Sequence, residues 1–475
     1  MLFNSIIFFI FLGVVVPLYY ALPNKRIKHI FLVLASYFFY GYWDWRFCSL
    51  LLISTIIDFF VAKALATSNV EKKRRFFLGI SLFANLGILF FFKYFNFFID
   101  SFQSLSSDLG VELDFLHLNI LLPVGISFYT FQTLSYTIDV YRRKLKPTDN
   151  FVDFALFVSF FPQLVAGPIE RAASLLPQLS KNKGKINLLQ MKEGVVLIVM
   201  GLFRKVMIGD TSGRYVDHIF GNIETYSSGE VLAALFLFSI QIYADFSGYS
   251  KIARGTAKLL GIELMKNFEQ PYLSTSITEF WRRWHISLSS WLKDYLYFSL
   301  GGNRNGKTKM YRNLMLTMLL GGLWHGASWN FVIWGGLHGL YLIVHKLMLK
   351  GRKVQSVNLK KFSVKDVLNI FGTYLLVLLT WLFFRATDFA TVKVFFRKMA
   401  FWESSDNSML FLSIVLAYTL MTLFLDTVEY RTQKHTFILD IRSNGIKLGI
   451  LFALFVVSVI YMVQVDPLPF IYFQF

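Results

Sequence analysis

Residues 319–339 read LLGGLWHGASWNFVIWGGLHG, an apolar run broken by glycines, by Asn330 and by two histidines, His325 and His338. An ionisable group left unpaired in hydrocarbon is costly, so each imidazole must be hydrogen-bonded, close to water or functional. The run sits inside Asn313–His345, a block of 33 residues with a basic loop at either end. A chain that leaves and re-enters one face must cross twice or dip and turn back, and at ~20 residues per crossing this block is marginal for two full spans. A tight hairpin or re-entrant pair turning near GGLWHGAS is therefore expected. Glycine permits such a turn, but irregular backbone at membrane depth survives only where protein or a water-lined cavity satisfies it. His325 is accordingly expected to face a cavity.

The rest of the chain has the same character. Of its 475 residues, 55% are hydrophobic and 16% charged, too apolar a balance for a soluble globular protein. The fold class expected is an all-α polytopic membrane protein with roughly 10–13 transmembrane or re-entrant helices. Apolar runs recur from Leu2 to Val465 without a soluble domain, so residues 1–475 read as a single integral-membrane domain with its core at about 120–345. Residues 1–22 lack a basic leader and a small-x-small cleavage site, and read as a retained first span. Ile27–Ala66 is long enough for two spans that bend at YGYWDW. The net charge of +19 lies in short loops without a nucleic-acid-reading motif, so membrane lipid and not nucleic acid is the partner it implies. Cys48 is the only cysteine, which excludes an internal disulfide and a Cys-based metal cluster. Neither a P-loop, a dinucleotide fingerprint, a nucleophile elbow nor a zinc motif occurs, and no metal or bound cofactor is expected.

Lys and Arg concentrate in cytoplasmic loops. Lys25–Lys28, Lys72–Arg75, Arg142–Lys146, Lys181–Lys185, Arg304–Arg312 and Lys346–Lys365 are basic, whereas Asp100–Asp114 and Asp210–Glu230 are acidic. The acidic loops and both termini are thus expected to face outward. Phe151–Pro168, also bounded by basic loops, is a second segment expected to cross twice or dip and turn back.

In Thr278–Leu300, TEFWRRWHISLSSWLKDYLYFSL, Arg282, Arg283, Lys293 and Asp294 argue against a lipid-facing span. Trp281, His285, Ser289 and Lys293 recur every fourth residue, which predicts one continuous helical face on the cytoplasmic side. Among the histidines, His29, His117, His218 and His435 lie in or near polar loops and read as solvated, and His345 beside Lys346 reads as interfacial. His338 follows His325 by thirteen residues, about 220° around one helix, and reads as a hydrogen-bonded packing residue next to Gly335 and Gly339. His325 and His285 remain. A neutral imidazole near pH 7 can take a proton from a hydroxyl, as a general base does.

Five stretches, LLPVGISFYTFQTLSYTIDVYRR (121–143), FFPQLVAGPIER (160–171), YADFSGYSKIARGTAKLLGIEL (243–264), EFWRRWHISLSSWLKDYLYFSLGGNR (279–304) and GGLWHGASWNFVIWGGLHG (321–339), resemble the membrane-bound O-acyltransferases. More narrowly, they resemble the bacterial polysaccharide branch that contains alginate O-acetylase and the membrane subunit of peptidoglycan O-acetyltransferase. The likeness runs from the first span to the ending PLPFIYFQF. It implies a multi-helix fold around a membrane-crossing tunnel where two signature residues meet, His325 at the family's histidine and His285 at the second position. It also implies an enzyme of the bacterial cytoplasmic membrane whose donor is a cytoplasmic acetyl thioester, most simply acetyl-CoA. The acetyl group would pass to an extracytoplasmic acetyltransferase partner that modifies the glycan.

On that reading Trp324, Asn330, Trp281, Ser289 and His338 are candidates for tunnel or substrate contact. Arg304, Lys307, Lys309 and Arg312 are candidates for the donor phosphates, although positive-inside bias alone accounts for a basic loop there. The rival from another class is a transporter using His325 and His285 as a proton relay. Within the class, the alternatives are acylation of teichoic acid, lipid or protein.

Overall fold

The computed structural model describes residues 1–111, 117–165, 167–182, 184–304, 306–349, 363–465 and 468–473. The basic stretch 350–362, the acids Glu112 and Asp114, and Pro467, Gln474 and Phe475 of the ending lie outside the described residues. Among the described residues every regular element is helical. Seven helical stretches are long and apolar enough to cross a membrane, and the chain is an all-α, multi-pass membrane protein. It divides into two compact units.

The first unit comprises Met1, Phe9–Leu188 and Ala257–Leu264. Its helices are α1 (Ile6–Ala21), α2 (Lys25–Asp44), α3 (Cys48–Thr67), α4 (Glu71–Leu89), α5 (Phe95–Asp108), α6 (Ile126–Tyr141), α7 (Phe151–Ser159), α8 (Phe161–Leu164) and α9 (Ala172–Lys181). The bend at YGYWDW falls where expected: Asp44 is extended and accepts from the Arg46 N–H, and a three-residue turn separates α2 from α3. Within Phe151–Pro168, expected to cross twice or dip and turn back, the helices have nine and four residues and at ~1.5 Å per residue each is too short to cross. Their surroundings explain how they persist, since Phe154–Leu164 is buried in protein and the Phe161 N–H donates to Ser36 Oγ at 3.1 Å. His29, expected to be solvated, is buried on α2 with its Nδ1 2.7 Å from Asp153 Oδ1. Its neighbours Lys25 and Lys28 carry the loop's charge, while His29 points at α7.

The second unit comprises Leu2–Phe8, Leu189–Thr256 and Met265–Phe475. It contains α10 (Leu188–Phe203), α11 (Thr211–Gly221), α12 (Ser228–Leu259), α13 (Ile277–Arg283), α14 (Ile286–Trp291), α15 (Lys307–His325), α16 (Trp329–Leu349), α17 (Val364–Arg385), α18 (Phe389–Ala400), α19 (Ser408–Thr432) and α20 (Asn444–Gln464). Between α10 and α11 the chain continues as a π-helical stretch, Arg204–Asp210, which buries Arg204 and Lys205. Arg204 pairs with Asp426 at 2.7 Å and Glu429 at 3.3 Å, and Lys205 with Asp210 at 2.5 Å and Asp245 at 2.9 Å.

The hairpin expected around residue 325 is present as α15 and α16, turning through Gly326–Ser328. It is longer than expected, because both helices recruit charged ends, Lys307–Arg312 and Lys346, and reach 19 and 21 residues. Their seam is made by glycine. A Cβ on Gly322 would lie 2.2 Å from the Phe331 carbonyl oxygen, and one on Gly335 2.3 Å from that of Met318. Backbones this close are the small-residue packing that joins helices where no hydrophobic effect between them is available. Thr278–Leu300, by contrast, is not one continuous helix. It breaks at Trp284–His285, so the four-residue spacing of Trp281, His285, Ser289 and Lys293 does not mark one face.

Gly335→Ala should therefore overpack the seam and destabilise the protein by ~1–3 kcal/mol, read as a lower melting temperature in detergent. Gly336→Ala, whose added Cβ would come no closer than 3.4 Å to Leu319, should leave the melting temperature unchanged.

Candidate active site

His325 is the last residue of α15, and the hairpin turn fixes it. Gly326, extended at φ −160°, ends the helix against the Phe331 ring, which a Cβ there would approach to 2.1 Å. The imidazole is 3% exposed and enclosed by rings: Trp324 and Trp334 at 5.0 Å, Phe384 and Tyr472 at 5.3 Å between centroids.

His285 is positioned by strain. It takes the left-handed conformation, φ 41° and ψ 56°, which costs a residue bearing a Cβ ~1–2 kcal/mol. The Ser289 hydroxyl holds the break by reaching the carbonyls of Trp284 at 3.0 Å and His285 at 3.1 Å, and the Ile286 N–H donates to the Asn267 carbonyl at 2.9 Å. Strain of this kind persists where its surroundings over-determine it, and it concentrates at functional sites. The buried His285 ring lies 4.6 Å from Phe246, 6.1 Å from Trp324 and 6.3 Å from Tyr472. The two histidines thus share two neighbours, Trp324 and Tyr472.

Sequence reasoning did not single out Tyr472, which no motif marks. Long-range polar contacts place it. The Ile471 N–H donates to Asp245 Oδ2 at 2.9 Å, while Lys205 Nζ and Asn4 Nδ2 donate to the Leu468 carbonyl at 3.3 and 3.2 Å. The segment 468–473 is held by the same buried charges that neutralise Lys205. The Tyr472 hydroxyl is itself buried without a hydrogen-bond partner among the described residues.

His338 is a packing residue, as its place on the sequence suggested. Trp281 Nε1–H donates to its Nδ1 at 3.2 Å, so its proton sits on Nε2, 3.0 Å from Thr380 Oγ1. That hydroxyl already donates to the Val377 carbonyl, so it accepts from His338. With both nitrogens engaged, His338 links α13, α16 and α17 and has no nitrogen left for a substrate proton. His325 and His338 lie on different helices, so the 220° separation expected on one helix does not describe them. Asn330 is likewise structural: its Nδ2 donates to the Ala386 carbonyl at 2.9 Å and ties the hairpin to the end of α17. His345 Nδ1 lies 2.7 Å from Thr278 Oγ1.

Alongside the helix break lies a cavity of about 520 Å³, lined among others by Trp281, Arg282, Ser289, Lys293, Tyr297 and Lys346. Trp281 and Ser289 were both expected at the site and both line it. Arg304, Lys307, Lys309 and Arg312 do not; they are exposed. The cations brought to this cavity are Arg282, Lys293 and Lys346. His117 and His218 are exposed as expected, but His435 is buried and accepts from Arg254 Nη1 at 3.0 Å. Burial pushes its imidazole well below the ordinary range; Lys251, Arg254 and Lys266 push the same way and Glu429 opposes them. It belongs to the buried charge cluster around Arg204 and not to a solvated loop.

Two buried imidazoles thus share ring-walled surroundings, and a cation-rimmed cavity lies alongside the helix break that carries one of them. Residues 142–368 match the membrane-bound O-acyltransferase family. Over the whole of both chains the protein is 36% identical to "Probable alginate O-acetylase AlgI" of Pseudomonas putida. It is 38% identical to the peptidoglycan O-acetyltransferase of Helicobacter pylori, over 80% of this chain and 74% of that one. It is 28% identical to the teichoic acid D-alanyltransferase of Streptococcus thermophilus, over 55% and 68% respectively.

Replacing His338 by alanine removes two hydrogen bonds of ~1 kcal/mol each. Acyl transfer measured in isolated membranes should fall roughly tenfold through loosened Trp281 and Thr380, with protein still present in the membrane.

Proposed function

Because the chain belongs to the membrane-bound O-acyltransferase family, we propose that it takes acetyl from a cytoplasmic thioester and passes it across the membrane for O-acetylation of a polysaccharide. The polymer is a cell-envelope or exported glycan of alginate or peptidoglycan type, and the final transfer is made by an extracytoplasmic acetyltransferase partner. The membrane is the bacterial cytoplasmic membrane. The observation that carries this reading is the convergence of His325 and His285 on Trp324 and Tyr472.

His325 acts as the general base. It takes the proton of the attacking hydroxyl as that oxygen bonds to the thioester carbonyl carbon, and returns it to the leaving thiolate when the C–S bond breaks. His285 orients the donor beside the carbonyl. The donor is acetyl-CoA or another acetyl thioester. The cavity of about 520 Å³ falls in the range of small-molecule sites, and Arg282, Lys293 and Lys346 supply charge for the donor's phosphates. Weaker identity to the D-alanyltransferase than to the two acetyltransferases favours acetyl over D-alanyl. The proton-relay transporter has no counterpart among these relatives, each of which is named for acyl transfer.

His325→Ala should abolish glycan acetylation, a loss of ~10²- to 10⁴-fold or more, while the protein still accumulates in the membrane. His285→Ala should be severe but incomplete. Ester-linked acetate on isolated envelope polymers reads both, and full retention in His325→Ala would sink the assignment. For the cavity, Arg282→Ala combined with Lys293→Ala should raise KM for acetyl-CoA about tenfold or more. Lys307→Ala combined with Lys309→Ala should leave it unchanged.

A further inference from the structure

We propose that Trp334 is a third catalytic residue, whose indole N–H donates a hydrogen bond to the thioester carbonyl oxygen as negative charge develops there. The inference rests on the acyl-transfer reading above. Trp334, on α16, is 1% exposed. Its ring meets His325 at 5.0 Å and 82°, and meets Trp281, which lines the cavity, at 5.8 Å. It therefore touches both the base and the wall of the donor cavity.

Two indoles in ring contact with it have acceptors: Trp281 Nε1–H donates to His338 Nδ1 at 3.2 Å and Trp381 Nε1–H to the Tyr272 hydroxyl at 3.1 Å. The Trp334 N–H is buried with no acceptor among the described residues. Buried donors are almost always satisfied, and an indole can only donate, so what this position lacks is specifically an acceptor atom. The ring cannot turn to find one, packed as it is against His338 at 4.7 Å, Phe384 at 5.4 Å and Trp381 at 6.1 Å. A fixed donor in a dry site needs no reorganisation when charge appears, which is what stabilises an oxyanion. The Tyr472 hydroxyl is also open, but it can accept as well as donate and so does not by itself call for an oxyanion.

The hydroxyl oxygen bonds to the carbonyl carbon, its proton goes to His325, and the carbonyl π pair moves onto oxygen, where it accepts from Trp334. Collapse re-forms C=O, breaks the C–S bond and releases the thiolate, which takes the proton from His325. Trp334 contributes a hydrogen bond throughout and never a proton.

The sharpest test replaces Trp334 by β-(3-benzothienyl)alanine, which keeps the bicyclic shape and loses only the N–H; Trp334→Phe is the genetically simpler companion. With purified protein in proteoliposomes and labelled acetyl-CoA, the isostere should lower kcat ~10²- to 10³-fold. KM and melting temperature should stay those of the native protein. An isostere with native kcat beside an inactive His325→Ala would overturn the role of Trp334 alone. A raised KM with native kcat would also overturn it, assigning the N–H to ground-state binding. Retained activity in His325→Ala would overturn the underlying acyl-transfer reading and this inference with it.

Discussion

Lys205 lies wholly inside the protein with its ammonium between Asp210 and Asp245, and much of the second unit is arranged around that fact. A buried charge is tolerated only when paired and hydrogen-bonded, and stripping one partner from such a group typically costs ~3–5 kcal/mol. Three separated parts of the chain meet to satisfy it: the π-helical stretch 204–210, α12, and the segment 468–473, whose Leu468 carbonyl accepts from Lys205 and whose Ile471 N–H donates to Asp245. Asn4 closes the set through Asp210 and Leu468. Charge neutralisation within the unit thereby becomes a means of placing Tyr472 beside two histidines.

The second constraint is backbone proximity. Gly322 and Gly335 let α15 and α16 approach until an added methyl would strike a carbonyl, and this seam delivers His325 and Trp334 from opposite arms of one hairpin to the same point. His285 arrives by a third route, a left-handed residue at a helix break. Each of these elements is held by contacts other than the ring contacts among His325, His285, Trp324 and Tyr472, so the placement of the two imidazoles is fixed by the fold.

Several residues show where a linear reading loses information. His29 and His435 stand next to charged loop residues, yet both rings turn inward to partners far away in sequence, Asp153 and Arg254. Four-residue spacing suggested one face through His285 because periodicity cannot register a single residue at φ 41°. The basic run Arg304–Arg312 is conspicuous in sequence but stays at the surface, while Arg282, Lys293 and Lys346, scattered among apolar residues, converge on the cavity. Tyr472 carries no local signal at all.

The sequence by itself determined the all-helical, multi-pass architecture, the bend at YGYWDW and the hairpin around residue 325, and it singled out His325 and His285 as candidates among eight histidines. These follow from hydropathy, loop charge and local chemistry, which act over a turn or two of helix. Only the tertiary structure decided which side chains share surroundings: that His338 has both nitrogens engaged, that the buried Trp334 N–H meets no acceptor among the described residues, and that Tyr472 packs against both His325 and His285. Hydrogen-bond satisfaction is a property of three-dimensional neighbours, and the contacts that place Tyr472 join residues up to 464 positions apart.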